Sequence, residues 1–488
     1  MEKRIHKLTF YHPKLEKVGG CFKKAYLVGG FVRDRILGVR KDFTDIDLVT
    51  FDPLEKVERC ITETLGKKPF SFEKGKRVIC YVGEDYRLDV TSAEGKTIEE
   101  DLQRRDFTVN AIAVDISELF LPFNDDALLI DPFNGLEDLQ RGIIRPVTEK
   151  ALSEDAVRVV RGVRLKLQLG FSYHPSFVSC AEEVAKKLSQ VPTPRVKEEL
   201  LKLLRTDKFY EALSDLDSLG ALTPIFRELE EIGAVPPSGL HRYNLKEHTF
   251  LTVKFLETYC LPRKEKILVK YAEKVGSEEF FPRFTDGECL KLVALYHDVA
   301  KPLTMEEREG KLTFYGHDKL GAEITAKAFL RLGLGKKASR MGALIVRNHL
   351  RPFFLYELYR ENSLTERAIY RFFRDSGEYA FHTLLHSVAD WMATSYEMSE
   401  KVEEFISFIH KLLSFYEERM ESLRPLLSGK EIMDIKGFDR PNECVGRIKE
   451  KMLELQAVGI IRTKEDAEKF VKGFCCGRRN GSDGKPET

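Results

Sequence analysis

The chain has 488 residues, 43% of them hydrophobic, which is too long for a single core and apolar enough to build several. Its 79 Lys and Arg nearly balance 78 Asp and Glu, so the whole chain is no polycation and any RNA-binding surface must come from local clustering. Nine scattered cysteines without a CxxC pair exclude a zinc ribbon, and no apolar run is long enough to span a membrane; a cytoplasmic protein with reduced thiols is expected.

The first 145 residues read as mixed α/β. AYLVGG, from Ala25 to Gly30, is a short strand running into a glycine turn, and a helix follows over Val32 to Leu37. DIDLVTF alternates charged and apolar residues with period two, and RVICYVG and YRLDVTS supply two more strands around a GED turn. Beyond residue 150 the apolar residues recur at helical spacing, with breaks at PTPR (192–195), GAVPPSG (233–239) and LSGK (427–430). The expected class is α+β and multidomain: a head over 1–145, a helical neck over 146–238, a helical body over 239–424 and a helical tail over 425–475. The polar glycine-containing end, 476–488, is expected to be disordered.

The stretch YLVGGFVRDRILG followed by DFTDIDLVT carries the strongest chemistry. Gly29 and Gly30 end a strand and open a helix, where backbone amides can approach a triphosphate, and Arg33 lies one turn further in. Asp45 and Asp47 are two apart on a strand and leave the same face. Two such carboxylates can hold a pair of Mg²⁺ ions about 4 Å apart, which is what phosphoryl transfer requires. Asp89 in YRLDVT is the candidate third carboxylate.

This order resembles the DNA polymerase β-like nucleotidyltransferase superfamily, and within it the bacterial class II tRNA nucleotidyltransferases and poly(A) polymerases. RRDFTVNAIAVD (104–115) is similar to that family's ribose-recognition motif and carries Arg105, Asp106 and Asn110. DPFNGLEDLQRGIIR (131–145) is similar to the motif linking head to neck, and EDAVRVVRGVRLKLQLGF (154–171) to the motif that selects the base. The resemblance implies a polymerase β-like head, a two-metal Mg²⁺ site, CTP alone or CTP with ATP as substrates, and tRNA held by its acceptor and T-arm.

On one helix, Asp155 and Arg158 would be one turn apart, with Arg161 and Arg164 continuing at i+3. An Asp acceptor beside an Arg donor reads the Watson–Crick edge of cytosine or adenine, whereas guanine and uracil present the wrong order. The competing reading is a set of salt bridges to Glu154 or Asp155. Only SAEGKTIEE separates LDVT from DLQRRDFT, too short for the flexible loop of class II enzymes that add the whole CCA. That absence resembles the CC-adding branch, with full CCA-addition as the alternative and polyadenylation less favoured.

Further along, LKEHTFLTV, LYHDVAKP, YGHDKLGAEI, RNHLRPF and SVADWMA supply His248, His297, Asp298, His317, His349 and Asp390. The His-Asp pair with these partners resembles an HD phosphohydrolase domain, which implies one or two divalent ions, Mn²⁺ or Ni²⁺, activating water. A phosphohydrolase acting on RNA ends is the reading from a different class. The tail from Pro425 resembles the family's tRNA-binding segment, with a turn at Pro441 before a helix from Val445 and with Lys449, Lys451 and Arg462 as its basic residues. The oligomeric state is left open.

Overall fold

The N-terminal region forms a seven-stranded mixed sheet. Its strands are Lys3–His6 (β1), Ala25–Val28 (β2), Thr44–Thr50 (β3), Val78–Val82 (β4), Tyr86–Ser92 (β5), Ala113–Asp115 (β6) and Asp126–Ile130 (β7). The spatial order is β1-β7-β6-β2-β3-β5-β4; β3 and β5 run parallel and the other neighbours antiparallel. In the computed structural model, residues 3–39, 42–70, 78–120, 125–238, 242–395 and 400–475 are described, in two units, Met1–Arg227 and Glu228–Thr488. The expected disordered end, 476–488, lies outside the described residues.

Ile46 and Leu48 of β3 and Leu88 and Val90 of β5 are buried, so the pleat sends Asp45, Asp47, Arg87 and Asp89 to the opposite face. The helix Gly29–Ile36 (α1) follows β2 without a loop and begins three residues earlier than its apolar pattern suggests, because both glycines enter it. The helix Leu54–Leu65 (α2) packs through Val57 and Ile61. It carries Cys60, which forms a disulfide with Cys21, and Cys444 is also disulfide-bonded. The expectation of reduced thiols is therefore corrected: a separation of 39 residues hid the Cys21–Cys60 pair, and folding brings their Cα atoms to 5.6 Å.

After the helix Ile98–Gln103 (α3), capped by Thr97, the neck includes a short turn of helix, Ala151–Glu154 (α4), then Val157–Leu169 (α5) and Thr193–Leu204 (α6). Helix α5 buries Val159, Val160, Val163 and Leu167. Gly162 lies among them because a Cβ there would stand 2.3 Å from the Phe177 ring and 3.1 Å from that of Phe107.

The second unit is mainly helical. The helices that matter for its site are Leu245–Phe255 (α7), Asp286–Tyr296 (α8), His317–Arg331 (α9), Gly335–Asn348 (α10) and Ala380–Ser395 (α11). Strand structure does not vanish after residue 150, as the periodicity suggests: Glu306–Arg308 pairs with Lys311–Thr313 in a hairpin too short to show alternation. Gly429–Lys436 (α12), Glu443–Ala457 (α13) and Lys464–Gly473 (α14) close on their own core of Ile432, Ile448, Met452 and Val471. Helix α13 starts at Glu443, two residues ahead of expectation, because Asn442 caps it. No helix among the described residues is long and apolar enough to cross a membrane.

Gly162→Ala should lower the stability of the first unit by about 1–3 kcal/mol, the usual penalty of overpacking, as measured by denaturant unfolding.

Candidate active site and metal centre

The parallel register of β3 and β5 sets Asp47 opposite Asp89 and Asp45 opposite Arg87. Asp45 is exposed, while Asp47 and Asp89 are half-buried. Arg87 grips both oxygens of Asp89, with Nε 3.0 Å from Oδ1 and Nη2 2.9 Å from Oδ2. Gly29 has φ +69°, and a Cβ on it would stand 3.0 Å from Asp47 Oδ2 and 3.4 Å from Arg105 Nη1. Only glycine lets the start of α1, Asp47 and Arg105 come this close.

Burial pushes the Asp47 carboxyl up to about 6; Arg105 opposes that shift, and the charges of Asp89 and Asp45 reinforce it. Three carboxylates on one face, one of them held back from ionising, are a donor set that a divalent cation relieves, and all-oxygen ligation suits Mg²⁺. A cavity of about 640 Å³ lined by Lys7, Tyr11, Gly19, Phe22, Ile116 and Phe120 shares no residue with this cluster. Charge, not volume, marks the site.

Arg33, Asn110, Asp106, Arg161 and Arg164 form one chain of polar contacts. Arg33 Nη1 donates to Asn110 Oδ1 at 2.7 Å, and its Nε and Nη2 donate to Asp34. Asn110 Nδ2 donates to Asp106 Oδ1 at 3.0 Å, and Arg161 Nη1 to Asp106 Oδ2 at 3.1 Å. Arg161 and Arg164 both reach Glu199 on α6, at 3.3 and 2.7 Å. Burial works against ionised Asp106 and Glu199, but these arginines hold both carboxyls below the usual range. Arg33, Asp106, Arg161 and Arg164 thus brace the joint between sheet and neck.

The expected Asp155–Arg158 geometry needs correction. The two are not on one helix: Asp155 is extended, φ −151° and ψ 95°, between α4 and α5, and its main-chain oxygen accepts from Arg158 N. Asp favours that position because its carboxylate caps the following helix; here Oδ1 accepts from Val157 N at 3.4 Å. Its other oxygen takes Arg195 Nη2 at 2.5 Å. Arg158 donates to the carbonyls of Ala151, at 2.9 Å, and Arg104, at 2.7 Å. Arg195 and Glu199 were missed in the sequence, where PTPR reads as a break; the spacing from Arg195 to Glu199 on one helix face was the available signal.

In the second unit, six dispersed residues converge. His248 Nε2 is 3.3 Å from His297 Nε2 and 3.1 Å from Asp390 Oδ1. His297 Nε2 is 3.2 Å from Asp298 Oδ2, while Asp298 Oδ1 is 3.3 Å from His317 Nε2 and 3.5 Å from His349 Nε2. Two triads result, His248/His297/Asp390 and Asp298/His317/His349, with Asp298 turned toward both, and all six are buried. The Nδ1 atoms of His297, His317 and His349 face the carbonyls of Ala294, Phe314 and Val346 at 2.8, 2.6 and 2.6 Å. A carbonyl only accepts, so Nδ1 carries a proton and Nε2, once deprotonated, is the atom each ring would offer to a metal.

Burial lowers the basicity of His297, but Asp298 and Asp390 outweigh it and raise the ring to about 9. Burial and His297 push His386, on the same helix as Asp390, down to about 3. Four imidazoles and two carboxylates buried together fit a divalent transition metal better than Mg²⁺. Lys301 also belongs here, with Nζ 2.6 Å from Asp298 Oδ2; the i+3 spacing in HDVAK was its signal. A narrow cleft lined by Tyr243, Phe314, Lys301 and His248 leads to this centre.

Comparison with known proteins agrees with this division. The chain matches the poly A polymerase head domain over residues 25–145, the probable RNA and SrmB-binding site of polymerase A over 170–232, and the HD domain over 263–373. It is 31% identical to the CC-adding tRNA nucleotidyltransferase of Thermus thermophilus, covering 95% of this chain and 97% of that one. It is 29% identical to the A-adding tRNA nucleotidyltransferase of Deinococcus radiodurans, over 92% and 95% of the two chains. The fold is that of the Thermotoga maritima CCA-adding enzyme complexed with tRNA, with a TM-score of 0.61 at 20% identity over 96% and 99% of the chains.

An Asp whose folded-state value is raised destabilises the fold above that value and has no effect once both states are protonated. Asp47→Asn should therefore raise the melting temperature of the metal-free protein above pH 6, and the gain should disappear as pH falls toward 3.8. Thermal melts with chelator across that range check it.

Proposed function

Because the chain belongs to the tRNA nucleotidyltransferase family, we propose that it is a CC-adding enzyme, extending tRNA 3′ ends by two cytidines from CTP without a nucleic-acid template. The relatives' names differ in product, so likeness alone does not choose. The observation that carries the choice is the link from β5 to α3. It runs only from Ala93 to Thr97 and is pinned: Glu94 N donates to Asp101 Oδ1 at 3.0 Å and Lys96 N to Glu100 Oε2 at 2.7 Å. A segment tied to the helix it precedes leaves no swinging element to exchange a CTP pocket for an ATP pocket.

In this reading Asp45, Asp47 and Asp89 hold Mg²⁺, which supplies neutralisation of the triphosphate and of the attacking 3′ oxygen. Gly29 and Gly30 present the opening amides of α1 to the phosphates. Arg105, beside Gly29 and Asp47, reaches the sugar and phosphates, and Asp106 with Asn110 anchors the turn that carries it. Asp155 accepts from the exocyclic amine of cytosine, and Arg158 donates to its ring edge. Base entry then exchanges the bonds from Arg195 and to the carbonyls of Ala151 and Arg104 for bonds to the base. Leaving such groups unpaired with a wrong base costs a factor of roughly 10⁴ in discrimination. Local basic residues of the neck and tail hold the acceptor and T-arm through phosphates and 2′-hydroxyls, so binding weakens with salt.

The six convergent ligands of the second unit favour a further reading, a metal-dependent phosphohydrolase acting on phosphorylated RNA ends with Mn²⁺ or Ni²⁺. The two readings concern separate units and coexist.

Purified protein incubated with tRNAs ending before CCA, after C and after CC, with CTP, ATP or both, should stop at two added cytidines and leave the CC-ended tRNA unextended. Ready addition of A to that tRNA would identify a full CCA-adder instead. His297→Ala with Asp298→Ala should leave incorporation intact while removing metal-dependent phosphatase activity.

A further inference from the structure

His386 lies in the metal centre, yet neither triad includes it. It is fully buried on α11, one turn before Asp390, with its ring centroid 5.0 Å from that of His297 and 6.4 Å from that of His349. Both of its ring nitrogens lack a hydrogen-bond partner.

The simplest alternative is that His386 only packs against His297. Its neighbours argue otherwise. His297, His317 and His349 each turn Nδ1 to a main-chain carbonyl, and His382, one turn earlier on α11, directs Nε2 to Asp286 at 2.6 Å. A neutral imidazole has one N–H and one lone pair, and burying such a group without a partner costs about 1–3 kcal/mol. Leucine or phenylalanine would fill the same space without that penalty.

A second observation separates His386 from the metal ligands. Contacts among the six ligand atoms run as close as 3.1 Å. His386 belongs to neither group of mutually close ligand atoms, and its ring nitrogens hydrogen-bond to none of them, so it lies beside the triads rather than in one. From there a ring N–H is suited to an oxygen carried by the ions, not to an ion.

We propose that His386 is an oxyanion-binding residue of this centre, donating its ring N–H to a phosphoryl oxygen held there. The inference rests on the reading of the centre as a metal site, and it adds a protein group with a different task from the six ligands and Lys301. Its ligand class is a phosphate or phosphomonoester.

The test uses the full chain loaded with Mn²⁺, with metal per chain measured by elemental analysis and inorganic phosphate affinity by calorimetry. His386→Phe should keep the wild-type metal content and nucleotide incorporation but bind phosphate about tenfold or more weakly, as for a lost bond to a charged group. His386→Gln, which retains an N–H donor, should recover most of that affinity. If phenylalanine overpacks the site, His386→Leu repeats the test at smaller volume. Loss of metal with unchanged phosphate affinity per loaded chain would make His386 a metal ligand and overturn the proposal. Unchanged metal content and unchanged phosphate affinity would leave it a packing residue, which also overturns it. A wild-type chain that takes up no Mn²⁺ would overturn the metal-site reading together with the proposal.

Discussion

The head depends on one electrostatic constraint: the parallel pairing of β3 with β5 forces Asp45, Asp47 and Asp89 onto the same sheet face. Three carboxylates so placed repel one another, and the surroundings show how the chain tolerates them. Arg87 neutralises Asp89 from two positions along its own strand. Arg105 offsets part of the pressure on Asp47, and burial leaves that group raised to about 6. A sheet built only for stability would place apolar or oppositely charged residues there. The face makes physical sense as a cation site, and the glycine-opened helix beside it supplies amides for an anion.

The same logic runs in the opposite direction in the second unit. There the like groups are imidazoles, buried rather than exposed, and ordered by main-chain carbonyls that fix which nitrogen is available. Hard oxygen ligands on an open sheet face and nitrogen-rich ligands in a closed helical core select different metals. The chain therefore carries two donor sets of different chemistry, suited to different ions.

Much of this was legible in the sequence because it is local. DIDLVTF and YRLDVTS alternate cleanly, so the strands and the facing carboxylates could be read from spacing alone. The six residues of the helical centre could be gathered because the His-Asp pair and its partners resemble an HD domain, and the fold brings them together. The strands β1, β6 and β7 were not read, since KRIH, AVD and DALLI are too short or too uniform to show a period and are recruited by pairing across the sheet. Asp155 misled because D-x-x-R fits one helical turn, whereas an Asp beside a helix start more often caps it. Arg195, Glu199, Lys301 and His386 acquire meaning only from partners distant in sequence or, for His386, from the lack of one. The Cys21–Cys60 bridge is of the same kind.

The central claim is that the three facing carboxylates, and not the helical centre, perform nucleotidyl transfer. The most direct measurement is CMP incorporation into a tRNA lacking CCA by the full chain carrying Asp45→Asn and Asp47→Asn, with tRNA binding and metal content of the second unit measured alongside. Incorporation should be abolished while tRNA affinity and that metal content stay at wild-type levels. Incorporation that persists at near wild-type rate would contradict the account.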